Sequence, residues 1–314
     1  MTLPHHYIHY FHYFAKRDVD KFYISIAIRN LALGMVVIFE GAYLYQYFNE
    51  RLAPTMLYFA VMFGLYALLV VQGGKIMARI GTHRSVLLSS IFYLAYYVCL
   101  FLFPVSFFFV PLALLIAAVG MILFWPAFHT DFVRFSAGVA KGKAVGKANV
   151  ARFFPIIVSP FVGGWILSVY GYPVLFVVVF VVLLASAIPL FSAKQTIEVY
   201  TGSYKQVWRA IFTRVKWRTH AAFVSEGVEF TINAQLWPLF MFVLAISFSQ
   251  MGGVVSFAIF ASGLFMLYVG RLSDTAERPW LLNIGALWTG VSWILKVFVA
   301  NPFDALLAHT IYRV

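Results

Sequence analysis

Arg29 and Glu40 stand eleven positions apart inside one long apolar run. In a helix that spacing is about three turns, so the two side chains share a face, and Tyr43 follows on it one turn later. Charged groups in such runs are costly and are functional candidates by default. Glu40 lies deep in its run and suits a proton carrier in a polar cavity. The competing reading puts it near the outer interface, with Gln46, Asn49 and Glu50 close behind. Arg29 can pair with a carboxylate across such a cavity, or extend its head to the inner face. A second set, Glu226, Glu229 and Asn233, stacks at i, i+3 and i+7 of another helix. Neighbouring carboxylates disfavour double ionisation, which makes the two acids a candidate proton-coupling pair. The competing reading is a cytoplasmic helix end, where they would pair with Arg214, Lys216 or Arg218. Trp125, His129 and Asp131 close a third run, with His129 and Asp131 expected at its inner mouth, and His309 stands in a fourth. Trp125-Pro126 and Trp237-Pro238 repeat a kinking element that packing alone would also explain. His5, His9 and His12 share a helical face. Zinc wants three or four ligands with oriented partners, so an interfacial segment is expected there, with no metal and no cofactor.

The elements that must position these residues are membrane helices. Of 314 residues, 63% are hydrophobic and only 11% are charged, against roughly a quarter charged in a soluble domain. Apolar runs of about 20 residues recur, and that length crosses a hydrocarbon core. Lipid offers the backbone no partners, so each run must be helical. Ten spans are expected, near 22–48, 55–78, 86–104, 107–128, 149–170, 173–193, 221–247, 251–272, 280–300, and 303 to the end. Turn residues separate most of them: Asn49 and Pro54, Pro104, Gly171 and Pro173, Gln250 to Gly253, Asn301 and Pro302.

The net charge of +12 points to lipid headgroups and not to nucleic acid, because the bases sit in loops on alternate sides of the spans. They are Lys16, Arg17 and Lys21 before the first span; Lys75, Arg79 and Arg84 after the second; Arg134 to Arg152 after the fourth; Lys194 to Arg218 after the sixth; and Arg271 and Arg278 after the eighth. The opposite loops hold little beyond Arg51. The N-terminus is therefore expected in the cytoplasm, and the protein in the plasma (inner) membrane. The single cysteine, Cys99, excludes an internal disulfide, and no removable signal peptide is visible. Residues 1–21 read as a cytoplasmic segment, 22–193 as a six-helix bundle, 194–220 as a cytoplasmic linker, and 221–314 as a partial second bundle. In the linker, Tyr204, Val207, Trp208, Ile211 and Phe212 fall at helical spacing among bases. That pattern predicts an amphipathic helix on the inner leaflet, against the alternative of a disordered basic linker.

Residues 74–84 read GKIMARIGTHR and residues 270–280 read GRLSDTAERPW. Each follows the second span of its half, at an offset of 196 residues between Gly74 and Gly270. Each resembles the loop signature of the major facilitator superfamily: a Gly, an Asp four residues on, then basic, any, Gly, basic, basic. The first copy keeps Gly74, Arg79, Gly81 and Arg84 but has Ala78 in the acidic slot. The second keeps Gly270, Asp274 and Arg278, with Arg271 beside the glycine, but has Thr275 and Glu277 where the family prefers a base and a Gly. Glycine lets the backbone reverse in a tight turn, and in the family the acid and bases latch the halves together. The fifth span, PIIVSPFVGGW at 155–165, resembles the Gly-x-x-x-Gly-Pro-x-x-Gly-Gly pattern of the family's exporters. It keeps Pro160, Gly163 and Gly164 and has Pro155 and Ser159 at the earlier glycines. A plain helix-packing patch is the competing reading.

The resemblance covers residues 20–314. It implies an all-α polytopic fold of two six-helix bundles, here with an incomplete second bundle, and alternating access about a central cavity. It also places Arg29, Glu40, Tyr43, Trp125, Glu226, Glu229, Asn233 and His309 on the four spans that line that cavity. At the repeat offset, Val314 corresponds to residue 118, which sets the expectation of a chain truncated in its second half; a natural short variant is the alternative.

The sequence has no Gly-x-Ser-x-Gly, His-Glu-x-x-His or Walker loop, so no enzyme and no nucleotide-driven pump is expected. The expected function is secondary transport of a small solute, coupled to protons, with export preferred over import. In-span acids outnumber bases, which suits cationic or zwitterionic solutes. The alternatives are a non-transporting membrane receptor, a lipid scramblase, or an inactive fragment on the same fold.

Overall fold

A helix satisfies every backbone group within its own segment, which is why apolar runs in lipid adopt it. The computed structural model describes residues 21–22, 24–137, 142–191, 203–211, 217–272 and 278–313, with side chains at all of these except 132–137, 142–153, 210–211, 266–272 and 278–282. Among the described residues there is no strand, and each of the ten predicted spans is helical. The elements are α1 (Ile24–Tyr47), α2 (Leu52–Ile80), α3 (Thr82–Leu102), α4 (Phe109–Ala137), α5 (Gly142–Phe191), α6 (Tyr204–Ile211), α7 (Trp217–Thr231), a π turn (Ile232–Leu236), α8 (Trp237–Val243), α9 (Phe248–Leu272), α10 (Arg278–Val297) and α11 (Pro302–Arg313). Among the described residues, six helices are long and apolar enough to cross a membrane: α1, α2, α3, the Phe109–Asp131 part of α4, the Phe154–Phe191 part of α5, and the Phe248–Phe265 part of α9. The protein is thus an all-α, polytopic membrane protein.

Short signals end the helices. Gly81 (φ 89°) is the single non-helical residue between α2 and α3, and its N–H bonds to Met77 O at 2.8 Å. Gly171 (φ 77°) plays the same part inside α5, so the fifth and sixth predicted spans meet at one residue. Both need the left-handed region that glycine enters without strain. Asn49 and Glu50 turn the chain after α1. Ser203 and Gln206 cap α6 reciprocally, as do Ser247 and Gln250 for α9, in the manner of a capping box. In α6, Tyr204, Val207 and Trp208 are half-buried while Lys205, Gln206 and Arg209 are exposed, which gives an amphipathic helix within the predicted linker. Within α1 the helical ladder breaks at Met35-Val36, where Val36 N turns to Leu33 O at 3.1 Å. The break falls between Arg29 and Glu40, so their predicted common face does not run along an unbroken helix.

The chain divides into two compact units. One holds Met1–Arg29, Tyr45–Arg152 and Phe176–Phe230; the other holds Asn30–Leu44, Phe153–Leu175 and Thr231–Val314. Residues 30–44 and 153–175, which sequence order assigns to the first bundle, thus belong to the unit that holds the C-terminal helices. In the first unit α2, α3 and α4 pack on one another around Phe22, Ile26, Met77, Val86, Phe124, Ala127 and Leu190. Ser25 and Ser85 donate to the Ser186 and Leu123 carbonyls, both at 2.7 Å; in lipid such hydroxyls bind helix to helix. In the second unit α9 and α10 pack on α11. A Cβ on Gly163 would run into the Met35 backbone, one on Gly252 into the Pro160 carbonyl, and one on Gly164 into the Phe248 carbonyl.

Candidate functional site

Pro238 has no N–H to give the carbonyl four residues earlier. The chain widens there into the π turn, closed by Trp237 N–H to Ile232 O. Single π turns concentrate at functional sites because they re-aim side chains. This one carries Asn233 to Lys296 of α10, whose Nζ donates to Asn233 Oδ1 at 3.2 Å. Lys296 is only 4% exposed. Its ammonium lies 3.7 Å from the Tyr312 ring centroid, 3.8 Å from that of Trp293 and 4.6 Å from that of Trp237. His309 of α11 is 2% exposed and stacks on both Trp237 and Tyr312, each at 5.9 Å. Both His309 nitrogens, Trp237 Nε1, Gln235 Oε1 and Thr310 Oγ1 are buried without a hydrogen-bond partner among the described residues. The second unit therefore holds a caged cation and several buried donors and acceptors.

Among the described residues, the first unit holds one more buried cation. Arg29 is 1% exposed. Its Nη1 donates to Ser90 Oγ at 3.1 Å, and its Cζ lies 4.0 Å from the Phe124 centroid and 4.5 Å from that of Tyr93. Gly120 makes room for the Tyr93 ring, which a Cβ there would meet at 3.0 Å. A buried acid centre also lies in this unit. Asp131 Oδ1 accepts from Thr82 Oγ1 at 3.1 Å, and Oδ2 lies 3.6 Å from His83 Nε2. Phe22 stacks on His83 at 5.5 Å. Position 78 of the loop signature is Ala, yet the α2–α3 turn still meets a carboxylate, supplied by α4.

The remaining predicted residues separate. Glu40 is buried in the second unit. Tyr43, half-buried, packs on Tyr172 at 4.9 Å, and Tyr172 donates to Phe39 O at 3.1 Å. Trp125 stacks on His129 at 5.5 Å. Glu226 is exposed and Glu229 half-buried on α7, which has no buried residue; the π turn parts them from Asn233. Gly74 is buried inside α2 instead of turning the chain, and Arg79 and Arg84 are exposed on either side of Gly81. Gly270 and the backbones of Arg271 and Arg278 end α9 and begin α10, while Asp274 lies outside the described residues, as do His5, His9 and His12. Pro160, Gly163 and Gly164 sit where α5 closely approaches α9 and α1.

Sequence reasoning passes over Lys296, although it stands in the span predicted at 280–300 and is subject to the rule that singles out Arg29. Ser90, Tyr93 and Phe124 carry no signal, being ordinary residues of apolar helices. Thr82, His83, Trp293 and Tyr312 gain meaning only from what they touch.

A family model described as Major Facilitator Superfamily matches residues 22–311. A search of curated proteins finds no match.

Proposed function

We propose that this chain, which belongs to the major facilitator superfamily, moves a small polar solute by alternating access and exchanges it for protons. The family makes it a secondary transporter and an integral membrane protein; solute, coupling and direction are our reading. The observation that carries it is the cluster of Asn233, Lys296, Trp237 and His309 on helices of the second unit, with donors and acceptors buried and unsatisfied among the described residues. In apolar surroundings such groups are destabilising unless something binds them, and in spans they mark solute and ion paths. Glu40, 6% exposed inside α1, supports proton coupling. The close helix approach at Gly163 and Gly164 supports export, since it falls on the exporter-like stretch. The basic loops support a cytoplasmic N-terminus, and our reading places the protein in the plasma membrane.

Proteoliposomes offered labelled anionic, cationic and neutral solutes, with and without an imposed proton gradient, test the reading. We expect at least one solute to accumulate with the gradient, and Glu40→Gln to lose that dependence while its amount in the bilayer stays unchanged. Transport unaltered by Glu40→Gln would remove the proton role.

A further inference from the structure

Arg29 has two buried nitrogens with no hydrogen-bond partner among the described residues. A guanidinium is planar and carries five donors in a fixed fork. Here Nη1 is taken by Ser90 Oγ. The Ser90 hydroxyl donates in turn to Val86 O at 3.2 Å, which fixes its lone pairs toward the arginine. Phe124 and Tyr93 lie against the group as rings. The nitrogens left over are Nε and Nη2, and neither has a hydrogen-bond partner among the described residues. These two N–H groups lie side by side on one edge of the plane, at the spacing of two oxygens on one carbon or phosphorus. That is the edge arginine uses for bidentate recognition.

An arginine at this depth has few other outlets. It cannot extend to water, because it is almost wholly buried. Aromatic faces attract the cation but accept no N–H in the plane of the fork. Among the described residues no carboxylate forms an ion pair with it. The buried acid of the same unit, Asp131, is engaged by Thr82 and His83.

We infer that the Nε–Nη2 edge of Arg29 is the seat of an oxyanion, a carboxylate or phosphate group of the transported solute, gripped bidentate while Ser90 holds the opposite side of the fork. This rests on the transport reading and narrows its substrate class. Ser90 is a positioning residue: it touches the arginine and not the anion.

Thermal unfolding of the purified full chain in detergent tests it, with acetate, succinate and inorganic phosphate as probes and chloride at equal ionic strength as reference. A ligand that binds only the folded state raises the midpoint in a saturable way. We expect at least one probe to do so beyond chloride, and its identity to separate a carboxylate from a phosphate. Arg29→Lys keeps the charge but loses the fork, and should weaken the apparent affinity by about tenfold or more. Ser90→Ala should weaken it in the same direction by a smaller factor, and it carries the test should the Arg29 variant fail to fold. Three probes no better than chloride, or equal stabilisation of wild type and both variants, would overturn the site. Counterflow in proteoliposomes separates the two readings. Binding without counterflow of the bound probe fails transport and leaves the site standing; counterflow of a cation or sugar with no oxyanion effect does the reverse.

Discussion

A lysine ammonium taken out of water loses strong hydration, and aromatic faces return part of it, up to roughly 2 kcal/mol per contact when desolvated. Lys296 has three rings within 4.6 Å and the Asn233 oxygen at 3.2 Å, a setting that holds the charge in place deep in the unit. Replacing it with methionine separates packing from charge. The thioether has similar length and itself favours aromatic contact, so the cage stays filled. Lys296→Met is expected to reach the membrane in normal amount and unfold within a few degrees of wild type, while the transport rate falls about tenfold or more, equal to roughly 1.4 kcal/mol. A variant that transports normally would make Lys296 a structural residue. At this scale the sequence was partly legible. Arg29 and Glu40 stand out as charges in apolar runs, and both are buried. Lys296 obeys the same rule yet is one base in a basic chain, and the residue that orients it lies 63 positions away. Spacing along one helix cannot reveal a cage assembled from three.

The helices themselves were far more legible, because their signals are local. Apolar length sets the spans, Gly81 and Gly171 set the reversals, and Ser203 with Gln206 starts α6. Two features were hidden. The break at Met35-Val36 lies where Gly34 and Met35 meet α5, a Cβ on Gly34 running into Ser159 and one on Gly163 into Met35; it is written in the contact between helices. The π turn was foreshadowed by Pro238 as a kink but not as a change of hydrogen-bond register. Its consequence is specific. Alanine at 238 restores the missing N–H, and a regular α ladder would turn Asn233 by about 100° per residue shifted, away from Lys296. Pro238→Ala is therefore expected to leave the unfolding temperature equal or higher and to lower transport about tenfold. Full transport in that variant would show that the π turn positions nothing needed for function.

For the whole molecule, orientation decides what the two buried cations and Glu40 can mean. α2 has 29 residues, about 43 Å at about 1.5 Å each, more than the ~30 Å hydrocarbon core, so its ends face opposite sides. Arg51 is exposed at one end; Arg79, and Arg84 just beyond the Gly81 turn, are exposed at the other. On the proposed orientation the bases concentrated at the second end face the cytoplasm. The only native cysteine, Cys99, is buried and can be changed to serine. In that background, Arg51→Cys is expected to react with an impermeant maleimide on intact cells, and Arg84→Cys only after permeabilisation. Under that orientation Arg29, in the first third of α1, lies toward the cytoplasm and Glu40, in its last third, toward the outside. On the proposed reading, a solute gripped at Arg29 would be taken from the cytoplasmic side, as export requires. Labelling in the opposite sense would put the bases outside, exchange the sides that the two groups meet first, and turn the export reading into import.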